Sequence, residues 1–91
     1  YKPVQTGVSS WEETDPAAIA AWLGPYAKQV SFHVGSRYDA PAAPSVAAAA
    51  EGKQVDPARL LADWQRLQAE HSTVLVEGAG GVMVPVCADW L

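Results

Sequence analysis

The sequence predicts an α/β fold with a parallel sheet and flanking helices, and three observations carry that prediction. A β-prone segment opens the chain, helical segments fill its middle, and a continuous aliphatic and β-branched run follows them at residues 73–76. Such a run is typical of a strand covered on both faces, as in parallel sheets. The 91 residues have room for one small domain, so residues 1–91 are treated as a single unit.

Apolar patterning and turn residues divide the chain into alternating strands and helices. Short β-prone runs that end at turn residues, as at Gln5-Thr6-Gly7, predict strands. Polar or glycine-containing stretches between such runs predict loops. The predicted elements are strands over residues 1–4, 30–34 and 73–76, helices over 16–23, 45–51 and 57–71, loops over 8–13 and 35–43, and an extended segment over 82–86.

The three helices are predicted from caps, proline positions and periodicity. Thr14 or Asp15 caps the first helix ahead of Pro16, and proline is tolerated there because its missing N–H would have no partner. Asp56 and Pro57 repeat that start. The middle helix is predicted from an alanine-rich run, and the last helix from apolar residues that recur along one face. Those apolar residues are Leu60, Leu61, Trp64 and Leu67.

Composition and charge argue against several classes of protein. A net charge of -4 with only 6 Lys and Arg argues against binding to nucleic acid. No apolar run approaches the about 20 residues that a membrane span needs. We expect no signal peptide, because the first residues show no basic segment followed by an apolar one. The single Cys87 leaves no internal disulfide, so we expect a cytoplasmic protein. The chain starts without Met and ends at Asp89-Trp90-Leu91, where a helix begins, so we expect part of a larger protein.

Two segments, residues 2–7 and 77–81, are predicted to lie at the carboxyl ends of strands, where parallel α/β folds bind their ligands. In the first, Lys2 stands within a strand, and a buried ammonium needs an anionic partner. In the second, Glu77 follows the aliphatic run and precedes a glycine-rich turn, where a carboxylate can hold Mg²⁺ beside phosphates. Structural alternatives stay open: a lysine that reaches solvent, and a glutamate that the turn exposes or that caps a helix.

Further candidates carry weaker signals by themselves. Thr6 offers a hydroxyl at a turn, and Asp15 is either a helix cap or a second carboxylate near a metal and phosphates. Gly78, Gly80 and Gly81 allow backbone N–H groups to approach an anion, although such a glycine cluster is also a common turn. No phosphate loop of the G-x-x-x-x-G-K-[ST] type occurs in the sequence.

Two segments, YKPVQTG at residues 1–7 and VEGAGG at residues 76–81, together resemble the two signature segments of dethiobiotin synthetases, the ATP-dependent enzymes of biotin synthesis. Between them, PAAPSVAA at residues 41–48 with Glu51-Gly52 resembles the middle segment of that family. The resemblance runs along essentially all 91 residues. It implies that the chain is a portion of a P-loop-type α/β fold, usually found as a homodimer.

The resemblance also implies an ATP- and Mg²⁺-dependent ligase. Members of the family form the cyclic urea of dethiobiotin from 7,8-diaminononanoate and CO₂ or bicarbonate, through a carbamate and a carbamic-phosphoric anhydride. By resemblance, Lys2 is catalytic, and Thr6 and Gly80 contact the substrate. The implied nucleotide-binding residues are Asp15, Glu77, Gly78, Ala79 and Gly80, of which Asp15 and Glu77 hold Mg²⁺.

Two departures separate this chain from the pattern of the family it resembles. The family has a strand and a glycine-rich phosphate loop ahead of its Lys-Pro-Val segment, and further strands later, and these 91 residues contain neither. We therefore expect the chain alone to be inactive. Two other hypotheses stay open: a related P-loop ligase or amidotransferase of cobalamin synthesis, and a non-catalytic fragment that packs against or binds a partner.

Overall fold

In the part of the chain that the structure describes, the fold is built on two parallel strands, β1 (Lys2–Thr6) and β2 (Val34–Tyr38). In the computed structural model, which describes residues 1–88, Lys2 pairs with Val34 and Thr6 with Tyr38. The connection between the strands contains a helix, which is the usual crossover between parallel strands. The α/β class with a parallel sheet, predicted from the sequence, is therefore confirmed.

Within residues 1–88, three α-helices flank the strands: α1 (Asp15–Leu23), α2 (Pro44–Ala50) and α3 (Pro57–Glu70). Short 3₁₀ helices at Trp11–Glu13 and Gly24–Gln29 precede and follow α1. The predicted helices agree with the observed bounds to within one residue at each end. The longest helix has 14 residues, and within residues 1–88 no helix has the length and apolarity that crossing a bilayer requires.

Side-chain caps set the starts of two helices. Ahead of α1, the Thr14 hydroxyl accepts a hydrogen bond from Ala17 N–H (3.3 Å). Ahead of α3, the Asp56 carboxylate accepts one from Arg59 N–H (3.2 Å). Of the two residues that could cap α1, Thr14 does so, and the Asp15 side chain is left for another partner.

The apolar core lies between the strands and the helix pair α2 and α3. Its buried residues are Val4, Tyr38, Ala47, Ala48, Val55 and Leu60. The first helix has little such packing, because Pro16 is its one buried residue and Trp22 is 85% exposed. Apolar burial therefore anchors α2 and α3 far more firmly than α1.

The second strand lies four residues later than predicted. The sequence predicted a strand over residues 30–34 and a loop over 35–43, whereas β2 occupies Val34–Tyr38. Both predictions are wrong because the pairing with β1 decides where the strand runs. Lys2 N–H donates to His33 O (2.8 Å), and the parallel ladder continues from that point.

The aliphatic run at residues 73–76 is not a strand in the structure. The prediction of a strand covered on both faces is wrong, since Leu75 is 82% exposed. Tyr1 makes two hydrogen bonds to this segment in the pattern of parallel strands. Its nitrogen donates to Leu75 O (2.7 Å), and Glu77 N–H donates to Tyr1 O (3.0 Å). Within residues 1–88 the rest of the run has no strand neighbour to pair with, so its β propensity is not enough to form a strand.

The segment after the glycine-rich turn also departs from prediction. Residues 82–83 form a turn, so the extended segment predicted over residues 82–86 is wrong there. Ser45 N–H donates to Pro85 O (3.3 Å), which ties the later part of this segment to the start of α2. The helix start predicted at Asp89-Trp90-Leu91 lies outside the described residues.

Gly35 is the position in β2 where an added side chain would collide with the strand beside it. A Cβ there would lie 2.5 Å from Pro3 O and 2.8 Å from Leu60 Cδ2. We predict that Gly35→Ala lowers the free energy of unfolding of the full-length protein by about 1–3 kcal/mol, because a backbone atom cannot move aside cheaply. Denaturant unfolding measures the change. Gly81→Ala is the control, since its Cβ would meet no atom within 4 Å; equal losses in the two variants would contradict the prediction.

Candidate functional site

The candidate site is centred on the Lys2 side chain, which is almost fully buried. Lys2 is 5% exposed. Its Nζ lies 2.8 Å from Asp15 Oδ2 and 3.4 Å from Glu77 Oε1, and it donates to the Gly78 carbonyl (3.1 Å). Three acceptors therefore surround an ammonium that has three protons. We call Lys2, Asp15, Glu77 and Gly78 the lysine cluster.

Three separate parts of the chain supply the lysine cluster. Lys2 is the first residue of β1, and Asp15 is the first residue of α1. Lys2 therefore lies at the amino end of β1 and not at its carboxyl end as predicted, because pairing with β2 extends β1 as far as Thr6. Glu77 lies in the segment that pairs with Tyr1, where its N–H donates to Tyr1 O (3.0 Å). Because that bond fixes residue 77 beside the start of β1, the Glu77 carboxylate reaches Lys2. The structure thus brings Lys2, Asp15 and Glu77 together, while the roles assigned to them stay predictions.

The two carboxylates of the lysine cluster remain accessible to solvent. The Asp15 side chain is 47% exposed and that of Glu77 is 56% exposed. Removing the Lys2 ammonium from water costs free energy that opposite charge must offset, and both acids contribute to that. Two carboxylates around one ammonium leave one negative charge in excess. The cluster therefore presents an acidic surface outside a buried cation.

Asp15 and Glu77 match the protein ligands that Mg²⁺ takes beside a nucleotide. Mg²⁺ uses one or two carboxylates and completes its shell with phosphate oxygens and waters. Both acids are half-exposed and approach the same ammonium. Within residues 1–88, no group of three or more His, Cys, Asp or Glu side chains could hold a metal ion by itself. A metal ion held here would therefore take further ligands from a bound nucleotide or from water.

The glycine-rich turn shapes the backbone beside the lysine cluster. Gly80 has a φ of +79°, and a Cβ there would lie 2.8 Å from Val84 Cγ2, so glycine is needed at this position. A Cβ at Gly78 would meet no atom within 4 Å, and it is the Gly78 carbonyl that faces Lys2. Gly78 and Ala79 also line an apolar cavity of about 310 Å³. The turn is therefore open to a ligand at Gly78 and constrained at Gly80.

A larger cavity, about 650 Å³ in volume, opens beside the lysine cluster. Its lining is mainly apolar and includes Ile19 and Leu23 of α1 and Phe32 ahead of β2. Lys2 and Glu77 form the charged part of its wall. An apolar hollow with a few charged groups is typical of small-molecule sites.

Two histidines also line the larger cavity. The ring centroids of His33 and His71 lie 6.5 Å apart. Burial lowers the pKa of His33, and the nearby positive charge of Arg66 lowers this pKa further. The neutral form of the His33 imidazole is therefore favoured down to lower pH than in water.

Thr6 lies away from the lysine cluster. It ends β1, about 13 Å along the strand from Lys2. Within residues 1–88, no hydrogen bond or ion pair joins the Thr6 side chain to the cluster. The substrate contact predicted for Thr6 therefore requires a ligand that extends along the strand.

Gln5 is the residue at this site that the sequence did not indicate. It was predicted to begin a turn, but it belongs to β1 and is buried. Its Oε1 accepts from Asp15 N–H (2.9 Å), and its Nε2 donates to Thr6 O (3.4 Å). A single amide side chain near a strand end carries no signal in a sequence, because its partner is a backbone group elsewhere in the chain.

Comparison with known proteins agrees with the resemblance seen in the sequence motifs. A family model described as an AAA domain matches residues 1–91. The ATP-dependent dethiobiotin synthetase BioD of Anaeromyxobacter sp. (strain Fw109-5) is 40% identical over 89 residues, covering 97% of this chain and 39% of that protein. The protein of the same name from Bacillus subtilis (strain 168) is 32% identical over 91 residues, covering 100% of this chain and 39% of that protein.

A third relative extends this agreement to another organism. The ATP-dependent dethiobiotin synthetase BioD of Saccharopolyspora erythraea is 42% identical over 84 residues, covering 91% of this chain and 36% of that protein. The chain thus spans about two fifths of the length of the curated relatives that it matches. The resemblance to dethiobiotin synthetases, predicted from three motifs in order, is confirmed.

The two carboxylates of the lysine cluster share one buried cation. The losses in the free energy of unfolding caused by removing each carboxylate should therefore not be additive. We predict that Asp15→Asn and Glu77→Gln each lower the free energy of unfolding by about 0.5–1 kcal/mol, since each leaves the other acid in place. The free energy of unfolding of the double variant should fall by at least about 1 kcal/mol more than the sum of the two single losses, because the double variant leaves Lys2 buried with only a neutral carbonyl. Denaturant unfolding of the four proteins measures this coupling.

Arg66 provides a matched control for that cycle. It also lies between two acids, 3.7 Å from Asp63 and 3.4 Å from Glu70, but its side chain is 47% exposed. The changes in the free energy of unfolding caused by Asp63→Asn and Glu70→Gln should therefore add to within about 0.5 kcal/mol. Equal coupling in the two cycles would show that burial of Lys2 does not determine the energetics of the lysine cluster.

Proposed function

Since the chain belongs to the AAA domain family, we propose that it forms the part of an ATP-dependent dethiobiotin synthetase that holds a catalytic lysine between two acids. The observation that carries this proposal is the buried Lys2 ammonium, 2.8 Å from Asp15 and 3.4 Å from Glu77. A cation fixed in a buried position is suited to stabilising negative charge that develops on a reactant. The name of the relatives supplies the reaction class.

In the proposed reaction, CO₂ and one amine of 7,8-diaminononanoate form a carbamate, which ATP phosphorylates with release of ADP. The second amine then attacks the carbamic-phosphoric anhydride, phosphate leaves, and the cyclic urea of dethiobiotin forms. Lys2 has a task in both stages, because the carbamate and the transferred phosphoryl group carry negative charge on several oxygens. Burial strengthens this interaction, since little water remains to screen it.

Asp15 and Glu77 are the proposed magnesium ligands. Mg²⁺, when bound, neutralises phosphate charge during phosphoryl transfer. The exposure of both carboxylates supports this assignment, because a metal ion and a nucleotide can reach them from solvent. The proposed nucleotide contacts are Asp15, Glu77, Gly78, Ala79 and Gly80, and the proposed substrate contacts are Thr6 and Gly80.

The proposed enzyme also needs segments that correspond to the rest of its relatives, outside the region that matches this chain. The chain spans 39% of the first two relatives, and its sequence contains no G-x-x-x-x-G-K-[ST] loop. We infer that the phosphate loop and the adenine-binding segments belong to the remainder, and that these 91 residues alone are inactive. A homodimer and a cytoplasmic location complete the proposal; the first follows from the resemblance, and the second from the lone cysteine.

An assay of the full-length protein tests this function. We predict that ATP hydrolysis depends on both 7,8-diaminononanoate and bicarbonate, and that dethiobiotin accumulates in step with ADP. Hydrolysis that needs neither compound would favour a related ligase or amidotransferase of cobalamin synthesis. A protein that hydrolyses no ATP under any of these conditions would favour the non-catalytic fragment.

Removing the charge of Lys2 tests its proposed catalytic role in the same assay. We predict that Lys2→Gln lowers the turnover of the full-length enzyme by on the order of 100-fold or more, since a cation aimed at the transition state is lost. The Kd for ATP should change much less. Lys53→Gln is the matched control, because Lys53 also pairs with an acid, Glu51 (2.9 Å), but its side chain is 61% exposed. An unchanged rate for Lys2→Gln would refute the proposed role.

A further inference from the structure

Gln5 is a buried polar residue that the proposed reaction does not use. Both ends of its amide are occupied, since Oε1 accepts from Asp15 N–H (2.9 Å) and Nε2 donates to Thr6 O (3.4 Å). A buried amide costs free energy unless it is hydrogen-bonded, so its place in β1 needs a reason. Of its two bonds, the one to Asp15 crosses from the strand to a helix.

Asp15 is therefore held twice by β1. Gln5 binds its backbone N–H (2.9 Å), and Lys2 binds its carboxylate (2.8 Å). Two contacts to one residue fix both the position of the first turn of α1 and the direction of the Asp15 side chain. Without the backbone contact, the ion pair with Lys2 would be the one polar contact left between β1 and Asp15 within residues 1–88.

The first helix has few other contacts that could hold it against β1. Pro16 is its one buried residue, and Trp22 is largely exposed. The Thr14 hydroxyl donates to Trp11 O (2.7 Å) and accepts from Ala17 N–H (3.3 Å), so both of its bonds stay within α1 and the 3₁₀ helix before it. Those bonds shape the start of the helix but do not tie it to the strand.

We propose that Gln5 is a positioning residue that fixes the amino end of α1, so that the Asp15 carboxylate stays against Lys2. This inference rests on the proposed function, in which Asp15 binds Mg²⁺ and ATP. Gln5 touches no reactant and acts through Asp15. Its loss therefore weakens the use of Mg²⁺ and ATP more than it lowers turnover when both are saturating.

Gln5→Met tests this role, because methionine keeps the length of the side chain and removes both hydrogen-bonding groups. In the full-length protein, we predict that the backbone amides of residues 14, 15 and 17 exchange with deuterium about tenfold faster; residue 16 is proline and has no N–H. The Mg²⁺ concentration for half-maximal activity should rise about tenfold, with a smaller change in kcat. Val55→Ala removes buried core volume elsewhere and is the stability control; it should leave the Mg²⁺ requirement unchanged.

A cycle with Asp15→Asn separates positioning from a purely structural role. If Gln5 acts through Asp15, then adding Gln5→Met to Asp15→Asn raises the Mg²⁺ requirement no further. An additive increase overturns the proposal, as does unchanged amide exchange at residues 14, 15 and 17 in Gln5→Met. A shift in Mg²⁺ requirement of equal size in Val55→Ala overturns it as well, because lost stability would then explain the effect.

Failure of this inference can be told apart from failure of the proposed function. A wild-type protein without diaminononanoate-dependent ATP hydrolysis refutes the proposed function. Amide exchange at residues 14, 15 and 17 needs no activity, and neither does the stability coupling of Gln5→Met with Asp15→Asn. Both measurements still decide whether Gln5 holds Asp15 in place. Additive stability losses together with unchanged exchange overturn the inference whatever the enzyme does.

Discussion

A lysine buried within a small domain is the constraint on which the candidate site depends. The Lys2 ammonium loses its water on folding, and each of its protons needs an acceptor. Asp15, Glu77 and Gly78 provide those acceptors from two other parts of the chain. Their positions are therefore linked: the start of β1, the start of α1 and the turn after the aliphatic run must meet for this lysine to be buried.

Local signals predicted the helices well and the strands poorly, and the reason is physical. The start of α3 is encoded by neighbours in the chain, Asp56 and Pro57, so its bounds could be predicted closely. Strands depend on partners far along the chain. β2 (Val34–Tyr38) runs where it pairs with β1, and residues 73–76 have the strongest β propensity but almost no strand neighbour in the described part of the chain.

The residues of the candidate site also differ in how far the sequence could predict them. Lys2 and Glu77 stand out in the sequence because each charge interrupts an apolar segment, and the motif order indicated that they belong to one site. Gln5 carried no such signal, since its role depends on the Asp15 N–H ten residues away. The assignment of the α1 cap to Thr14 was equally beyond the sequence, which offered Thr14 and Asp15 as equivalent candidates.

The charge balance of the lysine cluster limits what can bind there first. With two half-exposed carboxylates around one ammonium, an anion that approaches alone meets net repulsion. On the proposed function, a cation bound by Asp15 and Glu77 would reverse that balance and leave the charge of Lys2 free to act on an anionic reactant. On the proposed function, the two acids thus have two effects: they allow Lys2 to be buried, and they determine when its charge is available for catalysis.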